Sequence, residues 1–294
     1  MYPSEIKDAH AWIIIPVHNR KELTLSCLHH LKWVTSKTDW SIVIANDGST
    51  DGTAEAIKKE FPDVHVIHGN GSWYWTGAIA AGMRYAMEHN ATEIVWLNDD
   101  TIPEKGSLMR IVDLVRHDDH LMVASTAMHA GRQVVSCSMK FHEVTSQAGK
   151  LTCVDVLAGY QIAFSSKVVN TIGLPDWHRW PHYAGDSSYT RKACHAGFKL
   201  RLDGDSHIEL KDFRSYPAIG EVFWQHDNTP AQRIQKVFIS KKSPFRLISR
   251  WHLDVLSRGY LHGGIVFIGR SLSWIADIAK SYHKKSGDPY SINL

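Results

Sequence analysis

The chain has 294 residues, 44% of them hydrophobic and 21% charged, with a formal net charge of +3. That is enough apolar material for a substantial core, which excludes a disordered or low-complexity chain. Cys27, Cys137, Cys153 and Cys194 are dispersed without a C-x-x-C pair, which excludes a zinc knuckle or a redox motif and points to reduced thiols in the cytoplasm.

Short apolar runs at Trp12–Val17, Ile42–Ala45, Val64–Ile67, Ile94–Leu97 and Leu121–Ala124 predict strands. Helical spacing at Leu23–Val34, Thr53–Phe61, Ala78–Met87 and Leu108–Val115 predicts helices between them. Such alternation predicts an α/β domain, a Rossmann-like and mostly parallel sheet flanked by helices. Ligands of these sheets bind at the carboxyl ends of the strands. Three polar clusters follow strands one, two and four: His18-Asn19-Arg20, Asn46-Asp47-Gly48 and Asn98-Asp99-Asp100. All three are therefore expected on one edge. From about residue 131 the pattern turns to shorter pieces, Val134–Phe141 and Leu151–Val156, read as added strands and loops.

Each cluster has a chemical and a plain structural reading. In NDGSTDGT, Asn46–Thr53, the glycines permit tight turns and Ser49, Thr50 or Asp51 can cap a helix, while Asp47 can accept from a nucleobase or ribose. In NDD, adjacent carboxylates with no basic residue within four positions suit a hard divalent cation, Mg²⁺ or Mn²⁺, as the missing positive charge. Asp100 or Thr101 ahead of Pro103 is equally a helix start. Asp186 precedes a helical stretch that contains Arg191 and stops near Gly197. It is either a cap or a general base for an incoming hydroxyl. Asp203, Asp205 and His207 alternate, so on a strand they share a face, and His207 can offer an imidazole to the metal, with His226 as its competitor. GNGSWYWTG, Gly69–Gly77, reads as a loop whose Trp73 and Trp75 can wall a sugar or base.

The ordered set PVHNR, NDGSTDGT, LNDDT and AGDSSYTRKACHAGF resembles the family 2 glycosyltransferases with the GT-A fold, over roughly residues 11–215. GSWYWTGAIAAGMRYA and the LNDDT form are most similar to bacterial rhamnosyltransferase-type members that build surface polysaccharides. The resemblance implies that Pro16, His18, Asn19, Asp47, Trp75, Asn98 and Asp99 face a nucleotide sugar. It also implies that Asp100 is the chief metal ligand, that Asp186 is the catalytic base and that Arg191 supports the site or a phosphate. Asn98, Asn46 and Ser188 depart from the usual acids of the family. The implied activity is inverting, metal-dependent transfer from a UDP- or dTDP-linked sugar, rhamnose among the candidates, to a glycan or lipid-linked hydroxyl. A sugar nucleotidyltransferase would need a glycine-rich basic loop that PVHNRKEL lacks. A non-catalytic binding member is the other alternative.

The charge is unevenly spread. Residues 231–294 carry 11 Lys and Arg against 3 Asp, net +8, which leaves the first 230 residues at −5. A catalytic domain at 1–230 and a basic helical extension at 231–294 are therefore expected. In the extension Ile265, Ile268, Leu272, Ile275 and Ala279 follow helical spacing, with Arg270, Lys280, Lys284 and Lys285 supplying charge. Such a helix lies on an anionic membrane surface, or packs on the catalytic domain or on a second subunit as a homodimer. Neither a nucleic-acid partner nor a membrane-spanning segment is expected, and the protein is placed in the cytoplasm, peripheral to the inner face of the membrane.

Overall fold

The computed structural model describes residues 10–34, 40–135, 137–211, 213, 218–225 and 228–286. The chain forms two compact units, Met1–Trp177 with Gly185–Phe213, and His178–Ala184 with Arg214–Leu294. A short excursion, His178–Ala184, belongs to the second unit.

The first unit opens with β1 (Ala11–Val17), α1 (Lys21–Val34), β2 (Trp40–Asn46), α2 (Thr53–Glu60), β3 (His65–His68), α3 (Tyr74–Glu88) and β4 (Glu93–Leu97). Strands β3, β2, β1 and β4 are neighbours and all parallel. Period-two alternation builds the layers: Trp12 and Ile14 of β1 join one core with Ile79 and Met83 of α3. Ile13 and Ile15 join the other with Leu28 and Leu31 of α1. Both faces are covered, so the strands read as continuous apolar runs.

After β4 the chain departs from the simple pattern. Thr101–Pro103 is a short strand, β5, paired antiparallel with a late strand, so Pro103 does not start a helix as expected. Then come α4 (Ser107–His117), β6 (Leu121–His129), β7 (Arg132–Gln133), β8 (Cys137–Met139), β9 (His142–Val144), β10 (Leu151–Val154), β11 (Gln161–Ser165), α5 (Ser166–Ile172), α6 (Gly185–His195) and β12 (Lys199–Leu210). Strand β11 inserts between β4 and β6, antiparallel to both, and β12 lies parallel to β6. Among the described residues the main sheet has ten strands.

Gly82 marks the tightest helix-to-sheet contact, since a methyl there would overlap Cγ2 of the buried Ile14. Alanine gains up to ~1 kcal/mol of helix propensity. Overpacking a rigid core costs typically 1–3 kcal/mol. Gly82→Ala is therefore expected to destabilise the protein by about 1–2 kcal/mol, read as a lowered urea midpoint with an unchanged m-value.

The second unit contains α7 (Ile219–Trp224), α8 (Pro230–Ile234), a π-helical turn (Gln235–Ile239) and α9 (Leu247–Ser286). Helix α9 is broken at Gly259 (φ 75°, ψ 171°), a conformation that favours glycine. Its two arms pack on each other: a Cβ at Gly263 would lie 2.6 Å from the Asp254 carbonyl oxygen, and Arg270 pairs with Asp254 at 3.1 Å. Among the described residues no helix is long and apolar enough to cross a membrane.

Candidate active site

The loops after β1 and β2 are stitched together. Asn19 donates its N–H to Ser49 Oγ (2.9 Å) and accepts Thr50 N–H on Oδ1 (2.7 Å). Asn19 holds φ 52°, a left-handed conformation that asparagine tolerates. Asp51 spans both helix starts, accepting from Lys21 N–H at 2.9 Å and Thr53 N–H at 3.1 Å. His18 Nδ1 donates to the Asp47 carbonyl oxygen at 2.6 Å. Pro16 pairs with Ala45 within the β1–β2 ladder.

Asp47 is 4% exposed, and both carboxylate oxygens are engaged. Oδ1 accepts from Gly71 N–H at 2.8 Å and Oδ2 from Tyr74 N–H at 2.9 Å. In this structure Asp47 also holds the 69–74 loop over the strand ends. Gly48 (φ +67°) is needed at this turn, since a Cβ would sit 2.7 Å from Gly71 N. The segment expected to be all loop becomes helix from Tyr74, and Trp75 sits in its first turn. Trp75 Nε1 donates to Asn98 Oδ1 at 2.8 Å, and its ring meets Trp96 edge-on.

The acidic pair has its counter-charge in the fold itself. Arg20, 80 residues away in sequence, reaches Asp99 Oδ1 at 3.2 Å and Asp100 Oδ2 at 3.1 Å. Thr24 Oγ1 donates to Asp99 Oδ2 at 3.2 Å. The positive charge missing from the local sequence is therefore supplied at least in part by Arg20. One guanidinium against two carboxylates leaves the edge net negative when both are ionised. Burial, resisted by Arg20 and reinforced by Asp100, pushes Asp99 up to about 6.

Asp186 lies in the first turn of α6, and it is more than a cap of its own helix. Oδ1 accepts from Ser187 N–H (2.6 Å), while Oδ2 reaches across to Gly159 N–H (2.9 Å). Burial raises its carboxyl above the ordinary range in spite of these donors. A Cβ at Gly159 would lie 2.6 Å from Trp75 Cζ2 and 3.2 Å from Asp186 Cβ, so only glycine lets these two side chains close on each other. Tyr160 follows Gly159 and ties this turn to the NDD segment. Its carbonyl accepts Asn98 N–H at 3.1 Å, and burial, strengthened by Asp186 and then Asp100, pushes its phenol to about 12.

Arg191 is buried against Asp155 (3.4 Å) and stacks over Phe141, so it braces the segment leading to Gly159. One expected residue lies elsewhere. His207 is not brought beside Asp100. β12 pairs with β5 at Leu210↔Thr101, three residues further along the strand, roughly 10 Å at the usual rise. His207 Nδ1 lies instead 3.6 Å from Glu104 Oε2. The alternation with Asp203 and Asp205 is also broken, by a bulge between Asp203 and His207. Arg110 takes both aspartates, at 2.6 and 3.0 Å. His226 lies outside the described residues. A second acidic group, Asp118, Asp119 and His120, sits at the opposite sheet edge before β6, where Lys199 and Lys167 already compensate it. Thr24, Gly159 and Tyr160 carry no local sequence signal, and Arg20, though part of the polar cluster after β1, has none that pairs it with Asp99 and Asp100.

Residues 12–166, more than half of the chain, match the family described as Glycosyl transferase family 2. The chain belongs to that family. This family 2 glycosyltransferase is 28% identical to the undecaprenyl-phosphate mannosyltransferase of Micrococcus luteus over 172 residues, 55% of this chain and 68% of that protein. Among solved structures it is similar to S. aureus TarS 1–349 with UDP-GlcNAc (TM-score 0.56, 14% identity, 97% of this chain, 94% of that one). It is also similar to the mannosyltransferase PcManGT of Pyrobaculum calidifontis with GDP-Man and Mn²⁺ (0.54, 14%, 96% and 88%). GalNAc-T7 with UDP, GalNAc and Mn²⁺ gives 0.56 at 13%, with 97% of this chain matched but only 59% of that one spanned. These likenesses establish the GT-A fold for the glycosyltransferase.

Proposed function

We propose that this glycosyltransferase moves a sugar from a nucleoside diphosphate sugar to a hydroxyl of a glycan or lipid-linked acceptor, by a single inverting displacement. The observation that carries the reading is the pair of backbone contacts that ties both acidic segments to one turn at the strand ends: the Tyr160 carbonyl accepts Asn98 N–H at 3.1 Å, and neighbouring Gly159 donates to Asp186 Oδ2 at 2.9 Å. The donor's nucleotide lies along the stitched loops at His18, Asn19 and the 69–74 segment, and Trp75 walls the sugar. Asp100, the more exposed of the pair, offers a hard oxygen donor beside the residual negative charge of Asp99, which fits Mn²⁺ or Mg²⁺. Held there, the ion would supply Lewis-acid stabilisation to the leaving diphosphate. Asp186, fixed by Gly159 and Ser187, takes the proton from the acceptor hydroxyl. Arg191 keeps the Gly159 segment in place through Asp155.

The finer substrate reading remains a UDP- or dTDP-linked sugar, with rhamnose among the candidates. The three solved relatives hold different nucleotides or sugars, so the fold does not select one. A lipid-linked acceptor is supported by the name of the M. luteus relative, an undecaprenyl-phosphate mannosyltransferase. A panel of nucleotide sugars with and without Mn²⁺ tests the proposal. One donor is expected to raise the melting temperature only with the ion, since ligand at 100 times its Kd stabilises by ~2.7 kcal/mol. The same donor should release nucleoside diphosphate when an acceptor is added. No shift with any donor, or metal-independent shifts alone, would overturn the reading.

A further inference from the structure

The distal arm of α9 has two dissimilar faces. One is packed within its own unit: Trp274 is buried against Phe238 and Phe245, and the Ile278 carbonyl accepts Trp224 Nε1–H at 2.8 Å. The other leaves large apolar side chains open: Leu261 75%, Ile265 61%, Ile268 60%, Leu272 62% and Ile275 62% exposed, followed by exposed Ala279. Solitary exposed leucines need no explanation, but a contiguous row does.

The spacing of that row identifies its partner. Leu261, Ile268 and Ile275 repeat every seven residues, and so do Ile265, Leu272 and Ala279. The steps alternate four and three, the a/d seam of a helix that faces another helix. A helix lying on a membrane spreads a broader apolar face and rims it with Lys and Arg. Here the flanks are Gly264, Gly269, Ser271 and Ala276, small residues that let a second backbone approach, and the lysines gather beyond Ala279. With on the order of 100 Å² open on each of the five large side chains, these alone offer roughly 500 Å² per copy, the larger part of the ~800 Å² per partner of a standard interface. A self-complementary stripe of this kind closes most simply on itself about a two-fold axis.

We infer that this seam is a homodimer interface, in which α9 of a second copy of the chain covers Leu261–Ala279. The proposal stands apart from the catalytic reading. Full-length protein is expected to sediment at twice the 33.2 kDa chain mass at low micromolar concentration. Ile268→Glu with Leu272→Glu, both at exposed positions, should give the single-chain mass with unchanged circular dichroism. Ser273→Glu, an equally charged change on the same arm but off the seam, should leave the dimer intact. The proposal is overturned if the wild type stays at the single-chain mass up to about 100 µM. It is also overturned if Ser273→Glu dissociates the protein as fully as the seam variant. A third overturning result is a monomer that floats with anionic phospholipid vesicles and loses that binding on Ile268→Glu with Leu272→Glu, which would assign the stripe to a membrane.

Discussion

Asp186→Asn is expected to lower turnover by a factor on the order of 10² to 10⁴, the usual contribution of a general base, while donor binding stays near wild type. That factor is about 3–5.5 kcal/mol of barrier. The structural cost is smaller. The asparagine keeps one acceptor, so one of the two backbone N–H groups at Gly159 and Ser187 loses its partner, at about 1–3 kcal/mol. Turnover and stability therefore separate the two roles of Asp186. The pH dependence carries the same distinction. Burial holds the proton on Asp186 above the ordinary aspartate range, and the base works only when deprotonated. kcat/KM of the wild type should accordingly rise with pH through a midpoint above about 3.9, the unperturbed value. The Asp186→Asn variant should lack that limb. Near-normal turnover in the variant would remove Asp186 from the chemistry.

Replacement of the residues around the acidic pair should give effects of opposite sign. Asp100→Asn removes a like charge that works against ionisation of buried Asp99, while Arg20 keeps its contact with Asp99 at 3.2 Å. The protein without ligand should hold its stability within about 1 kcal/mol, as repulsion relieved offsets the lost ion pair. The Mn²⁺-dependent donor stabilisation should disappear. Arg20→Gln does the reverse, leaving a carboxylate that is 2% exposed without its cation. Breaking a fully buried pair costs 3–5 kcal/mol. Arg20 is 38% exposed, so a loss of about 1–3 kcal/mol is expected, and Mn²⁺ alone should restore part of it. Calorimetric scans of both variants with and without Mn²⁺ check this. Equal losses in the two, with no response to the ion, would show that the pair serves only to hold α1 against the sheet.

The sheet edge as functional ground was legible in the residues alone, because strand period, helix period and turn chemistry are local. Val17, Asn46 and Leu97 end their strands within a residue of where the apolar runs stop, and the polar clusters follow at once. The resemblance added the family, which the match over residues 12–166 establishes. Residue roles were less legible. That Asp47 also holds the 69–74 loop, 24 to 27 residues later, is invisible in its own neighbours. Asp203, Asp205 and His207 look like one face until a bulge and Arg110 separate them.

Local pattern thus determined the order of strands and helices, the edge on which chemistry gathers, and the amphipathic character of α9, since each depends on neighbours within a few residues. Tertiary structure alone decided that Arg20 pairs with Asp99 and Asp100, that Gly159 brings Trp75 against Asp186, that β11 runs antiparallel between β4 and β6, and that one stripe of α9 stays open. These follow from contacts between segments tens of residues apart, whose free energy depends on where burial places a charge or an apolar surface and not on the residue's own neighbours in the chain.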